Sequence, residues 1–77
     1  MNKQRRETIS KAISLLEEAK SFLETARDEE QEYFDNMPES LQGSERGEQA
    51  EAAISCLEDA ISEIESASDK AEEATNN

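Results

Sequence analysis

Two stretches of this chain, KAISLLEEAKSFLE over 11–24 and AAISCLEDAISEIE over 52–65, agree at eight of fourteen positions at an offset of 41 residues. Ile13/Ile54, Leu16/Leu57, Ala19/Ala60 and Glu24/Glu65 are among the matches. In both, apolar residues recur at alternating three- and four-residue steps, the period of a helix that packs lengthwise against another. The only proline and both glycines lie between the copies. A repeated amphipathic unit split by one break encodes an all-α fold, an antiparallel two-helix hairpin of the alanine-rich coiled-coil type.

With Leu16 and Leu57 written as heptad position a, the a positions hold Ile9, Leu16 and Leu23, then Ala50, Leu57 and Ile64. Every d position from Ala12 to Ala26 and from Ala53 to Ala67 is alanine: Ala12, Ala19 and Ala26, then Ala53, Ala60 and Ala67. The spacing predicts an a/d seam in which the alanines let the two backbones approach closely. Helix 1 is expected over about 5–35, a turn over 36–44, helix 2 over about 45–73, and a frayed tail over 74–77. Met37 precedes Pro38 and is biased away from the helical region, Asn36 suits a left-handed cap, and Ser44 is the natural N-cap of helix 2. Folding back brings Lys3, Arg5 and Arg6 toward Asp69, Glu72 and Glu73.

Apolar residues outside that seam widen the sticky face. Leu15, Phe22 and Cys56 fall at g, and Ile54 and Ile61 at e, more than one partner helix covers. These five are the candidate interaction residues, and the expected outcome is a homodimer or higher oligomer, two hairpins pairing into a four-helix bundle. A chain of 77 residues with 34% apolar content has little core of its own, and its single cysteine excludes an intrachain disulfide, so association is the remaining staple. In a symmetric dimer, two copies of Cys56 are candidates to meet.

Twenty acidic residues face eight basic ones, for a net charge of −12. Residues 1–27 carry six Lys/Arg and four acids, whereas residues 28–77 carry two and sixteen. Direct nucleic-acid binding is disfavoured by that charge. Histidine is absent and the thiol has no base beside it, so no catalytic site, no metal site and no cofactor is expected, and the chain reads as a non-enzyme. No stretch approaches a membrane span or a secretory signal, which points to the cytoplasm.

The break is the most individual segment. Tyr33, Phe34, Met37, Pro38 and Leu41 would close the end of the hairpin around Asn36, with Gly47 making room for an aromatic ring. The functional alternative uses the free amides after Ser44, together with Arg46, to hold an anion. From Phe34 to Ala50 the chain reads FDNMPESLQGSERGEQA. This resembles an F-D-N-M-P-E-x-L-Q-x-S-E-R-G-E-x-A stretch shared by small acidic α-helical proteins encoded by phages and prophages. The resemblance implies a phage accessory protein in the cytoplasm of a bacterial host cell, and it transfers no activity or binding residue. The expected function is a protein-binding module that self-associates and binds a host or phage protein. The alternatives are a nucleic-acid mimic that occludes a basic groove of a defence or DNA-processing protein, and an oligomeric nucleotide sponge.

Overall fold

A computed structural model describes residues 1–76 of the chain, all but Asn77. Helix α1 runs Lys3–Asp35, a one-turn α2 spans Glu39–Gln42, and α3 runs Glu45–Thr75. The chain is a rod of 58 × 15 × 12 Å with a radius of gyration of 17.4 Å; a compact chain of this length would have about 11–12 Å. Both long helices are dense in alanine, leucine, glutamate and other strong helix formers, without an internal proline. The side chain of Asn2 caps α1 by accepting from the Arg5 N–H at 2.8 Å. The helices overrun the expected limits by two residues at each outer end, so the tail is helical to Thr75 and turns at Asn76; the last residue of the expected frayed tail, Asn77, lies outside the described residues.

α1 and α3 pack antiparallel along their length, but the seam is not the one expected. The a positions face inward as anticipated, and their closest companions are the e positions; the d alanines are exposed in α1, while in α3 Ala53, Ala60 and Ala74 stay half-buried at the seam edge. In α1 the half-buried row is Ile9, Ile13, Leu16, Lys20, Leu23, Arg27, Glu30 and Phe34. In α3, Ala50, Ile54 and Ile61 are buried, with Leu57, Ile64, Ser68 and Ala71 half-buried along the same line. Ala12, Ala19, Ala26 and Ala67 are exposed. Each helix is thus turned by about 50° from the a/d arrangement. The cause is side-chain size: an isoleucine removes far more apolar surface from water than an alanine, about 0.8 kcal/mol for each buried methylene. Ile54 and Ile61, at 8% and 6% exposure, belong to this core and are not free for docking, which corrects their assignment as interaction residues.

The e positions of α1 also hold Lys20 and Arg27, whose stems lie along the seam while their heads reach water. Lys20 Nζ meets Glu65 Oε1 at 3.0 Å, tying α1 to α3 at mid-hairpin. That pair fixes the register: residues whose numbers sum to about 85 stand opposite. Ile13 accordingly shares a groove with Glu72 and Thr75, and Phe34 with Glu51 and Ile54. The same register leaves residues 3–8 of α1 beyond the end of α3, and all six are exposed. Among the described residues no ion pair joins Lys3, Arg5 or Arg6 to Asp69 or Glu72, contrary to expectation, because that part of α1 has overshot them.

Met37, 9% exposed, plugs the turn, and Phe34 is half-buried beneath it. Tyr33 and Leu41 are 48% and 40% exposed and do not close the end. Asn36 caps α1 in the right-handed region (φ −84°, ψ −3°), so the left-handed cap is not used. Gln42 staples the turn instead, its side-chain amide donating to the carbonyl of Phe34, which also accepts from the Met37 N–H, and to the carbonyl of Met37, at 3.2 and 3.3 Å. Ser44 holds the N-cap position of α3, but its hydroxyl donates back to the Leu41 carbonyl and caps nothing. Gly47 is buried not for an aromatic ring but for backbone: a Cβ there would stand 2.0 Å from the Gln42 carbonyl oxygen. Gly43 has open space around it.

Two outcomes follow from this geometry. Gly47→Ala should destabilise the hairpin by roughly 1–2 kcal/mol net, the backbone clash outweighing about 1 kcal/mol of improved helix propensity, while Gly43→Ala leaves thermal unfolding nearly unchanged. The hydrogen bond from Lys20 to Glu65 raises the lysine pKa above its usual 10.5. A raised folded-state pKa adds stability below the unfolded value and loses it as the pH climbs through the folded one. Glu65→Gln should therefore lower the melting temperature slightly at pH 8, and the gap from the parent should close well above pH 10.5.

Candidate interaction faces

A helix turns 100° per residue, so with a seam centred between a and e the b and d positions project about 80° to either side. The two helices use equivalent seams and run antiparallel. The hairpin therefore has a pseudo-two-fold axis normal to the plane of its helices, which gathers both sets of b residues on one flank and both sets of d residues on the other.

The b flank is acidic. Glu51, Glu58, Glu65 and Glu72 march along α3 at intervals of about 10.5 Å, and Glu17 and Glu24 occupy the equivalent positions of α1. The shallow grooves between the helices open on this side, lined by Ser10 and Glu72 at one end, Glu17 and Glu65 in the middle, and Gln31, Glu51 and Glu58 near the turn. Lys20 is the one lysine lining them, and it is engaged by Glu65. Such grooves repel phosphate.

The d flank is apolar. Facing alanines floor a trough between the helices: Ala12 opposite Ala74, Ala19 opposite Ala67, Ala26 opposite Ala60. Leu15 and Phe22 stand on its α1 rim, 58% and 69% exposed, the two large apolar side chains of the described residues that water covers most. Glu29 is the next residue of that rim, and Tyr33 continues the alanine row of the floor toward the turn. On the α3 rim, exposed Cys56 is followed one and two heptads on by Glu63 and Lys70. Of the five candidate interaction residues, then, Leu15, Phe22 and Cys56 lie together on this flank, and Ile54 and Ile61 lie inside the seam.

The structure adds residues that the heptad reading had placed inside: Ala12, Ala19, Ala26 and Ala67 are the floor of an open surface. The signal in the sequence was the isoleucine that follows Ala12, Ala53 and Ala60 and draws the seam toward the e row; Ala19, Ala26 and Ala67, followed by Lys20, Arg27 and Ser68, are carried outward with the rotation of their helices. Arg46 is exposed, Ser44 is turned back onto Leu41, and Met37, Gln42 and Gly47 serve the packing of the turn. No helix among the described residues is long and apolar enough to cross a membrane, and no group of three or more carboxylates or thiols converges to hold a metal ion. Compared with known proteins, the chain matches no family model, no curated protein and no solved structure.

Proposed function

We propose that this protein is a non-enzymatic, self-associating helical module that uses its apolar flank for assembly and presents its acidic flank to a basic surface of another protein. The observation that carries this reading is the exposure of Leu15 and Phe22 in one row above an alanine trough. Among the described residues the hairpin alone buries only Met37, Ala50, Ile54 and Ile61 of its apolar side chains, and none of the large ones is fully enclosed. A rod with so thin a core gains most from covering that row. The phage setting rests on the resemblance of Phe34–Ala50 to the small acidic phage proteins.

The acidic row favours a second reading, a nucleic-acid mimic that fills a basic groove of a host defence or DNA-processing protein. Regularly spaced carboxylates on a rigid helix imitate a line of backbone charge. The two readings separate by salt: a mimic loses affinity steeply between low and moderate ionic strength, whereas docking through apolar contacts barely changes.

Sedimentation equilibrium tests the assembly. The parent protein should weigh a multiple of the 8.6 kDa chain, and Phe22→Glu should sediment as a monomer with its far-ultraviolet helical signal largely retained. A helical parent that stays monomeric at tens of micromolar would overturn the proposal.

A further inference from the structure

Resting on the self-association just proposed, we infer that the partner on the apolar flank is a second copy of this chain, laid face to face and reversed end for end, with Ala19 and Ala67 on the two-fold axis. The flank carries its own complement in both helices. Along α1 its row reads Arg5, Thr8, Ala12, Leu15, Ala19, Phe22, Ala26, Glu29, Tyr33. Reversed about Ala19, this row sets Ala12 on Ala26 of the other copy, Leu15 beside Phe22, and Arg5 against Tyr33, an arrangement that places a guanidinium at an aromatic ring. The same axis passes α3 at Ala67, because Ala19 and Ala67 stand opposite each other in the hairpin. It sets Ala60 on Ala74 and brings Glu63 against Lys70, whose numbers are symmetric about nearly the same point. Two helices thus call independently for one dyad.

Charge selects this arrangement over its rival. A two-fold axis parallel to the helices would lay α1 on α3 of the other copy at equal heights. Phe22 would then face Glu63 and Leu15 would face Lys70, desolvating two charges against apolar side chains without a partner. In the reversed pairing the apolar pair meets the apolar pair and the acid meets the base. The exposed, overhanging Arg5, at d, also comes within reach of Glu29, at g, at the turn end of the other copy. The strongly acidic flanks face away from each other into water, so two molecules of charge −12 meet on the side where repulsion is least. The shared face, about 42 Å long and about 20 Å wide, offers roughly 800 Å² per copy, the size of a standard stable interface. Cys56, far from the axis, lies about 33 Å along the rod from its symmetry mate, so this dimer does not bring the two thiols together.

The test combines a distance with a charge exchange. In a Cys56→Ser background, a nitroxide on Glu32→Cys should give an inter-copy distance of about 40 Å by pulsed dipolar spectroscopy, since 26 residues of helix separate position 32 from its mate. In the rival pairing the two labels sit at equal height on the outer edges of diagonal helices, and the distance falls to about 25–30 Å. A dimer giving the short distance overturns the reversed pairing while self-association stands; a monomer with no dipolar signal removes both. Lys70→Glu should weaken dimerisation roughly tenfold through two like-charged contacts, and Lys70→Glu combined with Glu63→Lys should restore it. Lys70 also pairs with Glu73 of its own helix at 3.6 Å, both side chains largely exposed, so loss of that contact alone predicts no rescue. Failure of the exchanged variant to recover would exclude the Glu63–Lys70 contact, and with it the placement of the dyad.

Discussion

The packing of isoleucine at the e positions governs this molecule. Once Ile54 and Ile61 enter the seam, each helix is turned by about 50° relative to an alanine-lined contact, and every other surface is assigned by that rotation. Lys20 and Arg27 are drawn along the seam because they share the isoleucines' heptad position, and Lys20 finds Glu65 across it. The alanines are carried out to one flank and the glutamates to the other. A chain of modest apolar content becomes two-sided through a choice between neighbouring residues in the same turn.

That choice has a clear energetic basis. An a/d seam would have allowed close backbone approach but would have buried little beyond methyl groups on one of its two rows. The a/e seam accepts polar intruders at Lys20, Arg27, Glu30 and Ser68 in return for covering large β-branched side chains. The intruders are tolerable because a two-helix seam is open on both sides, so charged heads at its edge stay hydrated. The compromise leaves a thin core and an uncovered row of Leu15 and Phe22, and these two properties together direct attention to assembly.

The turn obeys a separate constraint. Gly47 permits the carbonyl of Gln42 to pass where any side chain would stand, and the Gln42 side chain in return donates to the carbonyls of Phe34 and Met37. The segment that most individualises the sequence is thus largely accounted for by the demands of reversing the chain in nine residues. Arg46 and the exposed Tyr33 and Leu41 are the parts of it that packing does not use.

The sequence by itself determined that two helices form, that they fold back, and where they start and stop within about two residues. These follow from local periodicity, from helix-forming composition and from the break at Pro38, none of which depends on a distant contact. It also determined that Leu15, Phe22 and Cys56 lie off the seam, since their g positions only flank an a/d contact and stand farther still from an a/e one. Only the tertiary structure decided between Ala12 and Ile13, Ala53 and Ile54, or Ala60 and Ile61 as the inward residue. Each pair is adjacent on the helix and fits the same three-four spacing about the a positions, so periodicity cannot rank them. What ranks them is the apolar area that the opposing helix covers, a quantity that exists only once both helices are side by side.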